Sequence, residues 1–131
     1  MKGDGVILAE WVRATYKTGV YVGKLLDRNE QQNRALVEVK AVLKHPIQGD
    51  LHNPKEADVP LFHQRKALAQ NEKAWVPLSS LKAFQDPIPD YKESLKHALQ
   101  TQISSLVNDS SEWAKKSIER LRECEKEYNL S

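Results

Sequence analysis

Residues 44–55 read KHPIQGDLHNPK and bring His45, Asp50 and His52 within eight positions, with His63 eleven residues beyond the second histidine. Neutral imidazole and carboxylate are the usual nitrogen and oxygen ligands of zinc and non-haem iron sites, and imidazole is also the commonest acid–base group near neutral pH. A loop that folded back could gather His45, Asp50, His52 and His63 around one cation. The spacing speaks against it, because structural zinc sites pair histidines with closely spaced cysteines and helical catalytic sites use patterns such as H-E-x-x-H. Neither pattern is present in the chain. The plainer expectation is that the imidazoles bond backbone groups within an irregular loop shaped by Pro46, Gly49 and Pro54. No G-x-S-x-G, P-loop or G-x-G-x-x-G stretch occurs. The lone Cys124 falls in a charged helical stretch, and Ser79 and Ser80 fall in a turn after a proline. The expectation is a protein that is not an enzyme and needs no cofactor.

Composition narrows the classes of partner. The 131 residues carry 20 Lys/Arg against 18 Asp/Glu, a net charge of +2. Residues 1–87 hold 13 basic and 10 acidic side chains and residues 88–131 hold 7 and 8, so neither part is an electrostatic arm. Nucleic-acid binding is therefore not expected, since it calls for a contiguous basic stripe. One cysteine permits no intramolecular disulfide and suits a reducing compartment. In MKGDGVILAEW only VILA is apolar, which is too short for a signal-peptide core, and no lipobox cysteine follows. No run approaches the ~20 apolar residues of a membrane span. These features predict a cytoplasmic protein without membrane insertion.

Two kinds of element must position the loop. In ALVEVKAVL (35–43), Ala35, Val37, Val39, Ala41 and Leu43 share one face with Glu38 and Lys40 on the other, and predict a half-buried strand. VILAEWVRATY and VYVGKLL read as two further strands around the turn KTG, and DRNEQQN as a polar connection. Gly23, inside the second strand, marks a bulge or a close backbone approach. KALAQNEKAWVPL reads as a hairpin, and AWVPLSSLKAF as a strand ending at a proline, a single 3-10 turn and a short apolar pair. Five or so short strands in this length favour a small closed barrel. After QDPIPD the periodicity becomes helical. Asp90 is the expected N-cap of a helix carrying Tyr91, Leu95, Ala98, Leu99, Ile103 and Leu106 on one stripe. Asp109 and Glu112 have the form of a capping box before a second helix with Trp113, Ala114, Ile118, Leu121 and Tyr128. The fold class expected is mostly β plus α: an N-terminal SH3-like small β-barrel (1–87) followed by a C-terminal antiparallel two-helix hairpin (88–131). The hairpin's apolar stripe must cover the barrel, a second copy in a homo-oligomer, or a partner. Trp11, Tyr16, Tyr21, Phe62, Trp75 and Phe84 all fall in the barrel half, where they either fill the core or line a peptide groove.

The segment AVLKHPIQGDLHNPKEADVPLFHQRKALA (41–69), with YKTGVYVGKLLD before it and WVPLSSLKAF and PDYKESLKHAL after it, resembles the kinase-associated protein B family of endospore-forming bacteria. The resemblance covers essentially the whole chain and is carried most specifically by HP-x-QGDLHNP-x-E. It implies an SH3-like barrel followed by helices. It also implies an accessory protein that binds a sensor histidine kinase and promotes its signalling into the sporulation phosphorelay, near the membrane through that kinase. The alternatives are a generic SH3-like peptide-binding module, a nucleic-acid-binding barrel and a metal-dependent enzyme. Polar loops on rigid scaffolds tend to carry function, so the partner-binding candidates are His45, Gln48, Asp50, His52, Asn53, Phe62, His63 and Arg65.

Overall fold

The computed structural model describes residues 10–50, 53–60 and 62–130. Strands β1 (Glu10–Tyr16), β2 (Gly19–Asn29), β3 (Arg34–Lys44), β4 (Lys73–Pro77) and β5 (Lys82–Ala83) form one sheet in the order β4-β3-β2-β1-β5, all neighbours antiparallel. Helices α1 (Tyr91–Leu106) and α2 (Glu112–Tyr128) follow. The result is the expected small barrel-like sheet and helical hairpin. The first residues of the stretch VILAEWVRATY, 6–9, lie outside the described residues.

The β2–β3 ribbon dominates the sheet and slips register three times, between Val20 and Tyr21, between Val22 and Gly23, and between Leu25 and Asp27. Each slip moves the alternation by one residue. Ala35, Val37, Val39 and Ala41 are buried as their spacing predicts, but Leu43 is only half-buried. Val42 takes its place in the core opposite Tyr21. The Val42 N–H points instead at Ser94 Oγ on α1, 3.0 Å away, and Ser94 Oγ donates to the Tyr91 carbonyl at 2.8 Å. A buried backbone donor needs a partner, which is why a serine sits on the apolar stripe of α1. At Gly23 a Cβ would stand 2.2 Å from the Glu38 carbonyl oxygen, so both features expected of this glycine, bulge and close approach, are present.

Two apolar clusters result. Val12, Ala14, Ala35, Val37 and Val76 fill the barrel interior. Tyr21, Val39 and Val42 pack against Leu95, Leu99, Ile103, Leu106 and Leu121 from the helices. The hairpin's stripe therefore covers the barrel, and β3 contributes to both clusters. β2 runs through the first three residues of DRNEQQN, to Asn29, and the polar connection expected there is the turn 30–33 before β3 begins at Arg34.

The hairpin expected over 66–78 forms only in its second half. β4 pairs with β3, ends at Pro77 and is followed by a 3-10 turn (Leu78–Ser80) and β5, as the sequence predicts. Residues 66–69 are not a strand. The caps also differ in one place. Asp90 caps α1, accepting from Glu93 N at 3.1 Å. The N-cap of α2 is Ser111, accepting from Ala114 N at 3.1 Å, whereas Asp109 accepts from Ser111 N at 2.9 Å and organises the turn before the helix. Only the residue at the boundary has its side chain beside the free N–H groups of the first turn. Ser111→Ala is accordingly expected to lower stability by about 1 kcal/mol and Asp109→Ala by less, as read by thermal melting.

Candidate functional site

The connection between β3 and β4, residues 45–72, is the longest in the chain, and its described parts bond to both the barrel and the helices. Three tyrosine hydroxyls replace a neighbouring strand for its last part. Ala67 N–H donates to Tyr128 Oη (2.8 Å), Leu68 N–H donates to Tyr21 Oη (3.1 Å), and Tyr91 O–H donates to the Leu68 carbonyl (2.6 Å). These bonds come from α2, β2 and α1 respectively, so one backbone segment is tied to every layer. They also explain why 66–69 is not a strand: its polar groups are already taken.

The first part of the connection is clamped to the same segment. Gln48 is buried, and its amide nitrogen donates to the carbonyls of Pro46 (2.9 Å) and Arg65 (2.8 Å). Its amide oxygen accepts from Arg65 N (2.8 Å). Arg65 Nε donates to the Gly49 carbonyl (2.9 Å), and Gly49 N donates to the His63 carbonyl (2.9 Å). Gly49 has φ +101°, and a Cβ there would lie 2.9 Å from the Phe62 ring, so both conformation and space require glycine.

His45 is 3% exposed and links this clamp to α2. Its Nδ1 lies 3.1 Å from the Pro46 carbonyl and must donate to it, which leaves Nε2 to accept from the Tyr128 hydroxyl at 2.8 Å. Tyr128 in turn accepts from Ala67 N, completing a relay of three donors and three acceptors. Burial holds the His45 imidazole below its ordinary value, against the opposing pull of the Pro46 carbonyl and Gln102. Burial likewise pushes the Tyr21 and Tyr91 hydroxyls up to about 12 and the Cys124 thiol up to about 11, and it raises Tyr128 further. These groups stay neutral and serve as hydrogen-bonding groups. Cys124 is fully buried, with Sγ 3.8 Å from the Arg65 carbonyl, and a protonated buried thiol is a poor nucleophile.

The depressed His45 value has a measurable consequence. Below pH ~6.5 the unfolded chain binds a proton that the folded chain refuses. The His45 contribution is therefore complete above that pH and is lost progressively as pH falls toward the folded value. The stability difference between wild type and His45→Asn is expected to shrink between pH 7.5 and 5, by at most about 1.4 kcal/mol per pH unit, in urea titrations. A difference that stays constant with pH would contradict this account.

The structure separates the candidate residues. His45 and Gln48 are buried inside the clamp. Asn53 is exposed, and its Nδ2 donates to Asp50 Oδ2 at 3.0 Å. His63 is exposed, while Phe62 and Arg65 are half-buried. His52 lies outside the described residues. Among the described residues, no three His, Cys, Asp or Glu side chains converge as a metal site, and both ring nitrogens of His45 are engaged. Each tryptophan lies near its own cation: Lys24 over Trp11 (5.6 Å), Arg34 over Trp75 (4.4 Å) and Lys55 over Trp113 (5.8 Å). Residue-by-residue reasoning missed Tyr128, Tyr91 and Ser94 as hydrogen-bonding partners. A tyrosine or serine on an apolar helical stripe was the available signal, because such a hydroxyl must find a partner when buried.

The fold and this network define a class: an SH3-like barrel roofed by a helical hairpin, with its long connection locked between the two. The comparisons agree. The profile of a family described as "Kinase associated protein B" matches residues 16–129. A "Kinase-associated lipoprotein B" of Bacillus subtilis (strain 168) is 50% identical over 117 residues, covering 89% of this chain and 90% of that protein. A crystal structure of kinase-associated protein B from Bacillus cereus superposes with a TM-score of 0.78 at 35% identity, covering 95% of this chain and 99% of that one. The chain belongs to the kinase-associated protein B family.

Proposed function

We propose that this protein is a non-catalytic accessory factor that binds a sensor histidine kinase and promotes its signalling into the sporulation phosphorelay. The observation that carries the reading is the 50% identity, over nine-tenths of both chains, to a relative named for association with a kinase. The locked connection is compatible with such a role, because a rigid scaffold presents a surface with little ordering entropy to lose on binding. An activator must bind the active kinase conformation better than the inactive one. The exposed side chains of the connection, Asn53 and His63 among them, are the contact candidates there, whereas His45 and Gln48 shape the backbone that presents them.

A pull-down from sporulating cells, followed by autophosphorylation of the recovered kinase with and without this protein, tests the proposal. Co-purification of a sensor kinase and a faster rate with the protein present are expected. Absence of any sensor kinase, or an unchanged rate, would overturn it. The reading also places the protein in the cytoplasm, close to the membrane through the kinase. No helix among the described residues is long and apolar enough to cross a membrane. Fractionation of cells lacking the kinase should find the protein in the soluble fraction, and firm membrane retention would refute that placement.

A further inference from the structure

The turn between β1 and β2 is built from residue types that do not suit it. Lys17 has φ +45° and Thr18 φ +73°, a pairing for which hairpins prefer asparagine and glycine. A β-branched residue in this region is a conformational outlier, and such outliers concentrate where the side chains are needed. Here Thr18 Oγ1 accepts from Ile47 N at 2.9 Å, fixing the turn to the start of the long connection.

Two clefts adjoin this Thr18–Ile47 bond. One, about 240 Å³, is lined by Tyr16, Lys17, Pro46, Arg65 and Lys66 among others, with three cations and no carboxylate in its walls. Lys66 is paired with Glu127, which offsets one of the three charges. Lys17 stands 5.4 Å over the Tyr16 ring, and Arg65 is held at the cleft by its bond to the Gly49 carbonyl. The other cleft, about 470 Å³, takes aliphatic side chains from Val20, Leu43, Ile47 and Ala98, with Lys44 and polar groups such as Thr18 and Gln102 at its walls. Ile47 remains 43% exposed at its edge, although a β-branched aliphatic side chain gains by burial.

We propose that the two clefts form one docking site for an extended protein segment, taking an Asp or Glu side chain into the basic cleft and a neighbouring bulky aliphatic side chain into the other. Charge complementarity selects the acid, since Lys17 and Arg65 lie together without a carboxylate in the cleft wall, and charge-assisted bonds to a carboxylate are the strong ones. Lys17 and Pro46 line the first cleft while their sequence neighbours Thr18 and Ile47 line the second, so the two clefts adjoin. That arrangement suits successive side chains of an extended segment, which point to opposite sides. The site rests on the kinase reading only for the identity of its natural partner.

The test pans a phage-displayed library of random dodecapeptides on the whole protein and repeats the binding with Lys17→Glu, Lys17→Asn and Ile47→Ser. Lys17→Asn keeps a residue that tolerates positive φ and so separates loss of charge from loss of fold. Enriched peptides are expected to carry Asp or Glu beside Leu, Ile or Val, to bind at least about tenfold more weakly to each variant, and to weaken with salt. No enriched peptide, a consensus without an acid, or undiminished binding to the variants would overturn the proposal. Displacement of the peptides by low-millimolar inorganic phosphate would also do so, pointing to a phosphate site instead. Kinase capture by the same variants keeps the two readings apart. Capture of no kinase by the wild type defeats the kinase reading and leaves the peptide result standing, whereas equal capture by wild type and variants removes this site from the kinase interface.

Discussion

Tyr128→Phe is expected to lower stability by ~2–4 kcal/mol, although it removes one oxygen atom and leaves the ring in place. That oxygen is shared by two partners, accepting from Ala67 N and donating to His45 Nε2. Its loss strands a backbone donor and a buried imidazole nitrogen, at about 1–3 kcal/mol for each unsatisfied group. In a chain of this size the melting temperature should fall by roughly 6–15 °C. The double variant with His45→Asn should be less destabilised than the sum of the two single variants, because both break the same relay. If Tyr128 contributed only by packing its ring, phenylalanine would be close to neutral and the two substitutions would add.

Gly23→Ala should be at least as damaging, at roughly 3 kcal/mol or more. The atom nearest to an added methyl group is the backbone carbonyl oxygen of Glu38, at 2.2 Å, with Val37 Cγ1 at 2.7 Å behind it. A carbonyl in a sheet ladder cannot rotate aside as a side chain can. The β2–β3 ribbon would have to part at the bulge where β3 passes from the barrel interior to the helix-covered cluster. The expected readout is loss of the cooperative thermal transition or its displacement by well over 10 °C. A variant that melts like the wild type would show that the ribbon can open at this point.

Much of the architecture is legible in the sequence, and for local reasons. The alternation of Ala35, Val37 and Val39, the stop at Pro77 with its 3-10 turn, the Asp90 cap and the apolar stripe of α1 are each decided within a few residues. The register slip that buries Val42 in place of Leu43 was not legible, because its buried donor is satisfied by Ser94, 52 residues away. The second cap was misplaced by two residues because Asp109 and Ser111 are both good capping residues, and only the geometry of the turn decides which stands at the boundary.

The same division runs through the connection that first suggested chemistry. Composition and pattern alone determined that KHPIQGDLHNPK would be irregular and shaped by its prolines and Gly49, and that a barrel would precede a helical hairpin. Which way its polar side chains would face was decided only by the tertiary structure. His45 turns inward because Tyr128, 83 residues on, supplies a hydroxyl for its Nε2 to accept from. Gln48 is buried because the backbone of Arg65 offers both a donor and an acceptor. A polar group can leave water only where its partner already stands, and in this chain those partners are assembled by folding from β2, α1, α2 and the far end of the loop.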